Sequence, residues 1–210
     1  MNNKKIVEFR GVDKLMIAEV LCDDNETSGA ENEYGYATET PVELAPVAEI
    51  SKTVSSGSES KFYDNIPAMT INSEGADEIT FTVPALPLAM LGKILGKKVD
   101  ETTGAFLDGT RAEKYYAVGY RLKLTDGTYR YVWRYKGSFS IPDETSATED
   151  DGTTSNNQSL TFTGIYTTHE FTKGGKAKGL VVDERDGLAD VSTFFDAVTT
   201  ADTLKAKSSS

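Results

Sequence analysis

Residues Tyr115 to Lys136 read YYAVGYRLKLTDGTYRYVWRYK, two runs rich in Tyr, Val, Leu and Trp flanking an Asp126-Gly127 pair. Aromatic and β-branched residues suit a pleated surface, and Asp-Gly is the preferred pair for a two-residue type I′ turn. Counting outward from such a turn predicts Thr125 opposite Thr128, Leu124 opposite Tyr129, Leu122 opposite Tyr131 and Tyr120 opposite Trp133. Opposite residues share a face. One face then carries Tyr120, Leu122, Leu124, Tyr129, Tyr131 and Trp133 and has to be buried. The other carries Arg121, Lys123, Arg130, Arg134 and Lys136, a basic stripe in a chain whose formal charge is −11.

Around this hairpin the sequence keeps a period of two. Asp77–Val83 (DEITFTV) places Ile79, Phe81 and Val83 on one face, and Leu160–Tyr166 (LTFTGIY) alternates in the same way. Val42–Val54 and Ser60–Ile71 read as a further hairpin turning at Ser55-Ser56-Gly57-Ser58-Glu59, with Pro46 and Pro67 marking bulges or an edge. Between the strands, Pro84–Gly96 predicts one helix that starts near Pro87 and stops at Gly96. Its apolar stripe is Leu88, Leu91 and Leu95, widened by Met90 and Ile94. Trp133 is expected to pack with Tyr120, Tyr131 and this stripe. The fold class that follows is mainly β, an antiparallel β-sandwich flanked by one α-helix, with long loops and extended termini. Residues 1–172 form the sandwich domain with an N-terminal arm. Residues 173–210 form a C-terminal extension, with a short helix over Val191–Val198 capped by Asp190 or Ser192 and a frayed end from Lys205.

Composition narrows the function. Hydrophobic residues are 38% of the 210, and 18 glycines accompany many Ser and Thr. That suits a thin sandwich whose burial is completed by oligomerising. The acidic balance argues against a phosphate-gripping surface, since nucleic-acid binding draws on clustered Lys and Arg. Cys22 is the one cysteine and His169 the one histidine, so a disulfide within the chain and a Cys/His zinc site are both excluded. Gly92-Lys93-Ile94-Leu95-Gly96-Lys97-Lys98 lacks the spacing and the Ser/Thr of a phosphate loop, and it closes a helix instead of opening one. Asp23–Glu33 and Pro142–Ser159 are acidic loops without calcium-loop spacing. Catalytic residues, cofactors and metals are therefore not expected. The apolar run Ile6-Val7 is too short for a signal peptide and no run approaches a membrane span, which points to a soluble protein made in a reducing cytoplasm.

The order of parts resembles a known family. Phe62-Tyr63-Asp64-Asn65, the strand DEITFTVPALP, the helix LAMLGKILG, the hairpin YYAVGYRLKLTDGTYRYVWRYKGSFSIP and the strand SLTFTGIYTT follow one another. This succession resembles the major tail (tail tube) protein family of long-tailed bacteriophages of Gram-positive hosts, over roughly Gly11 to Glu170. The resemblance implies a structural virion protein of the phage tail, assembled in the host cytoplasm. Subunits of that family self-assemble into stacked hexameric rings that form a tube for DNA ejection, with tape-measure and tail-tip or terminator proteins as further partners. DNA passes through without specific binding.

On that resemblance, ring-stacking candidates are the acids of the two loops: Asp23, Asp24, Glu31 and Glu33, then Asp143, Glu144, Glu149, Asp150 and Asp151. An unopposed basic stripe would grip passing DNA, so Arg121, Lys123, Arg130 and Arg134 are expected to meet carboxylates of the Val42–Ile71 hairpin, with Glu43, Glu49 and Asp64 first. Two other readings compete. A non-catalytic β-sandwich binding or adhesion module would expose an aromatic platform, and a two-carboxylate hydrolase would need a cleft between paired acids.

Overall fold

Alternating apolar residues become strands wherever one face has a core to enter, and here they join into one large antiparallel sheet. The computed structural model describes residues 6–24, 35–63, 66–142 and 157–208. Its strands are β1 (Phe9–Asp23), β2 (Tyr36–Thr38), β3 (Val42–Ala45), β4 (Glu49–Tyr63) and β5 (Ile66–Val83). After the helix α1 (Leu88–Leu95) come the short pair β6 (Lys98–Val99) and β7 (Phe106–Leu107). They are followed by β8 (Tyr116–Leu124), β9 (Tyr129–Phe139), β10 (Gln158–Gly164) and β11 (Gly179–Asp183). The sheet runs β2-β1-β8-β9-β10-β5-β4, with β3 added to β1 and β11 to β9. It curls on itself: two strands, β9 and β10, separate Tyr120 of β8 from Phe81 of β5 in this order, yet their rings meet at 6.0 Å. The result is the sandwich-like, mainly β fold with one helix.

The first core lies inside the curl. It joins Leu15 and Ile17 of β1, Ile79, Phe81 and Val83 of β5, Tyr116, Val118 and Tyr120 of β8, Leu160 and Phe162 of β10, and Ile94 and Leu95 of the helix. The helix begins after Pro87, whose missing N–H costs nothing there, and ends at Gly96 in the left-handed conformation (φ 63°). Ile94 and Leu95 are buried, whereas Leu88 is 49% exposed, so the packed stripe is narrower than the sequence suggests.

A second core covers the opposite face of the hairpin, and it corrects the expected register. Leu124 N–H donates to the Thr128 carbonyl (2.9 Å), Gly127 N–H donates to the Leu124 carbonyl (3.1 Å), and Gly127 has φ 90°. The turn is thus a three-residue loop with Gly127 at the left-handed position, not a two-residue type I′ turn. Lys123 stands opposite Tyr129, Arg121 opposite Tyr131 and Gly119 opposite Trp133. One residue of slip moves a strand's side chains to the other face. Tyr131, Trp133 and Tyr135 therefore leave Tyr120 and the helix and join Ala18, Ala117, Phe171, Val182, Phe194 and Val198. Trp133 is fully buried, packs on Phe195, and donates from Nε1 to the Phe194 carbonyl (2.9 Å). Gly119 makes room for it, since a Cβ there would sit 2.8 Å from the indole ring.

The C-terminal residues build this second core instead of trailing from the domain. β11 pairs with β9 throughout its length. Where a helix was expected at Val191–Val198 the chain makes successive turns, opened by Asp190 Oδ1 accepting from Ser192 N–H (3.0 Å). Lys205 and Lys207 are held rather than frayed, through Asp190 N–H to the Lys205 carbonyl and Lys207 N–H to the Leu188 carbonyl. The Val42–Ile71 region is also redrawn. Val42–Ala45 is a separate strand on β1, and β4 and β5 stay paired as far as Tyr63 opposite Ile66, well past the Ser/Gly-rich residues, which run along the strand.

Candidate assembly surface

β4 and β5 pair from Glu49 opposite Thr82 to Tyr63 opposite Ile66, but β10 supports β5 only over Asp77–Val83. Beyond Asp77 the two strands pair with each other alone and extend from the body as an arm. The sequence explains this: Ser55-Ser56-Gly57-Ser58-Glu59 has no apolar alternation to place against a core, and residues 51–60 are exposed. Apolar side chains return at the tip, where Tyr63, Ile66 and Met69 are 65%, 66% and 52% exposed. The outer edge of β4 has no strand beside it among the described residues.

The arm's root is charged and largely enclosed. Asp77 opens the DEITFTV strand in phase with Ile79, Phe81 and Val83, so its carboxylate points inward and is 2% exposed. Lys52 Nζ lies 2.8 Å from Oδ2, Lys178 Nζ 3.1 Å from Oδ1 and Arg134 Nη1 3.4 Å from Oδ2. Burial would raise the Asp77 carboxyl, but these three cations hold it below its ordinary value. Glu74 is nearby, accepting from the Tyr166 hydroxyl (3.0 Å).

The expected basic stripe does not form. In the observed register Arg121 and Lys123 share a face with Tyr131 and Tyr129, while Arg130 and Arg134 lie on the other face with Leu122 and Val118. Arg121, Arg130 and Arg134 are paired, though not with the carboxylates the sequence suggested. Arg121 donates to both oxygens of Asp13 (2.5 and 3.0 Å) and lies over the Tyr129 ring. Arg130 pairs with Asp183 (2.8 Å), and Arg134 with Asp77. Lys123 is exposed, with no ion pair among the described residues. Glu43 and Glu49 are exposed and form none of these pairs. The reason is topological. The hairpin's sheet neighbours are β1, β10 and β11, while β4 stands at the far edge. Asp64 lies outside the described residues.

Of the stacking candidates, Asp23 is spent inside the molecule. Its carboxylate accepts from Lys136 Nζ (2.6 Å) and from the Thr168 and His169 N–H groups (2.8 Å each). Burial opposes ionisation there, yet the Lys136 ammonium and the two N–H groups keep the carboxyl below its ordinary value. The Asp24 carbonyl lies 2.8 Å from His169 Nδ1, so the one histidine helps tie the Ile165–Phe171 connection to the end of β1. Burial, followed by Asp24 and Asp23, pushes the Cys22 thiol up and away from reactivity. Glu31, Glu33, Asp143, Glu144, Glu149, Asp150 and Asp151 lie outside the described residues.

No protein-family model and no curated protein matches the chain.

What the surface offers must therefore be read from its own groups. A cleft of about 380 Å³ opens beside Lys14, Arg121, Tyr131 and Phe195, but its guanidinium is already bound to Asp13. No three His, Cys, Asp or Glu side chains gather as a metal set among the described residues, and no described helix is long and apolar enough to cross a membrane. Sequence reasoning missed Asp13, Lys52, Asp77, Lys178 and Asp183. For Asp77 a signal was present, a carboxylate in phase with three buried apolar residues. For the others, strand order had to be known first.

Proposed function

We propose that this chain is a structural subunit that polymerises with copies of itself into stacked rings forming a hollow tube, as the resemblance to phage major tail proteins implies. The observation that carries the reading is the β4–β5 arm. An isolated two-stranded ribbon is at best marginally stable in water, and this one ends in exposed Tyr63, Ile66 and Met69 beside an unpaired strand edge. Unpaired edges and apolar tips are templates for another chain. A contact between different surfaces of identical subunits closes into rings or extends into filaments, and both are needed for a tube. The formal charge of −11 supports the conduit part of the reading, since an acidic protein repels phosphates and lets a strand slide past. Tape-measure and terminator proteins are the further partners of this reading, and its place is the virion tail.

The test is to replace Ser55–Gly75 by a two-residue turn, leaving Lys52, Val54 and Asp77 in place. The shortened chain should keep its far-UV circular dichroism per folded residue and its unfolding transition. It should lose assembly, read by sedimentation velocity beside the full chain. Equal assembly of both would remove the arm from the mechanism.

A further inference from the structure

We infer that the arm is a hinged strap, whose second position lays residues 70–74 of β5 along the free edge of β11 in the same chain. The inference stands on strand order and register and does not depend on the polymerising role.

β11 takes up the lane that β10 leaves. Ile165 N–H donates to the Lys136 carbonyl and Tyr135 N–H donates to the Lys178 carbonyl (2.9 Å each), so the two strands follow one another along one edge of β9. The opposite edge of β9 is held by β8. On its far side β10 pairs with β5 as far as Gly164 opposite Asp77. β11 has no strand on its far side among the described residues, although β5 runs on past Asp77 to Ile66. Two free edges therefore leave one root and diverge. A cavity of about 340 Å³, lined by Lys52, Glu74, Asp77, Arg134, Tyr166 and Lys178, fills the angle between them. Val181, in the middle of β11, is 51% exposed.

Direction and register both match. β10 and β11 are antiparallel to β9, and β5 is antiparallel to β10, so β5 runs antiparallel to β11. β5 and β9 each carry one extra residue at the root: Val54 and Ser56 stand opposite Asp77 and Glu74, Tyr116 and Val118 opposite Gly137 and Arg134. These two bulges lie at one level and cancel in the count. Gly179, opposite Arg134, then falls level with Glu74, Val181 with Asn72 and Asp183 with Thr70. Backbone groups point alternately to the two edges of a strand. Lys178 faces β9, so Gly179, Val181 and Asp183 face outward. Thr82 faces the β4 side, accepting from Ala48 N–H, and counting along β4 to Gly57 opposite Ser73 leaves Thr70, Asn72 and Glu74 facing outward. Outward groups thus meet outward groups, and an unpaired edge is a template for another strand. The hinge is the bulge at Gly75-Ala76, since a bulge bends its strand. Lys178 holds the pivot: its Nζ donates to the Gly75 carbonyl and pairs with Asp77 (3.1 Å). Closing the strap turns the arm from projecting to lying along the sheet and covers Val181.

Disulfide trapping in the dilute full chain tests this. Residues opposite each other in a hydrogen-bonded antiparallel pair have Cα atoms about 5.5 Å apart, within the reach of a disulfide. Under mild oxidation the N72C/V181C variant should form an intrachain link, read as a monomeric band on a non-reducing gel and as a linked peptide by mass spectrometry. Both positions are exposed, so the reduced variant should keep the wild-type melting temperature. The S58C/V181C variant is the control: Ser58 stands opposite Asn72 on β4, one strand farther from β11, and should link at least tenfold more slowly. Faster linking of N72C/V181C supports the strap. Equal rates would mean an arm that moves without register and would overturn it, as would interchain links alone or no link at all.

Discussion

Trp133→Ala should cost the folded chain about 4 kcal/mol or more. The indole is fully buried between Tyr131, Phe194 and Phe195, and truncating a large aromatic residue in a core costs about 3–5 kcal/mol in lost transfer energy and cavity. The substitution also removes the Nε1–H bond to the Phe194 carbonyl, which keeps the Thr199 hydroxyl as a donor (2.9 Å), so the lost bond adds only about 0.5–1.5 kcal/mol. A domain of this size has only about 5–15 kcal/mol of stability, so the variant should sit close to unfolding. Trp133→Phe is the control, since it refills most of the volume and its main loss is one hydrogen bond to a carbonyl that Thr199 still serves, for a cost of about 0.5–1.5 kcal/mol. Equilibrium urea unfolding followed by far-UV circular dichroism reads both, because the variants lack the only tryptophan. A Trp133→Ala cost below about 1.5 kcal/mol would refute the second core and the hairpin register that places Trp133 in it.

Two further outcomes test the same packing and the charged root. Gly119→Ala should destabilise by about 1–3 kcal/mol, since its Cβ would meet the Trp133 ring at 2.8 Å, and a neutral effect in the same urea assay would argue for another register. Asp23 and Asp77 have folded-state values held below those of the unfolded chain, near 3.9. Their contribution is therefore present above about pH 4 and lost as pH falls through the folded values. Melting temperature should drop on acidification below pH 4, and Asp77→Asn should flatten that limb. An Asp77→Asn limb as steep as wild type would count against the carboxylate's role.

The elements were legible in the sequence wherever local chemistry alone sets them. Pro87 and Gly96 bound the helix because one lacks an N–H and the other tolerates positive φ. DEITFTV alternates because one side of β5 is buried. The Asp126-Gly127 turn was visible too, but its loop length was not. Two- and three-residue loops use the same pair, and the choice between them fell to Trp133 fitting over Gly119 and under Phe194, residues 14 and 61 positions away. The arm was hidden for a related reason: Ser/Gly-rich residues read as a turn, and only the partner strand shows that they continue. Ion-pair partners were the least legible. Arg121 and Arg130 meet Asp13 and Asp183 because β1 and β11 flank the hairpin, and that order is a property of the whole sheet.

Negative-stain electron microscopy of the purified full chain, taken over a rising concentration series, tests the polymerising role most directly. Rings of about uniform diameter that stack into hollow tubes are the expected result, with six-fold symmetry in end-on views. Monodisperse monomers at every concentration, confirmed by light scattering on the same samples, would contradict it.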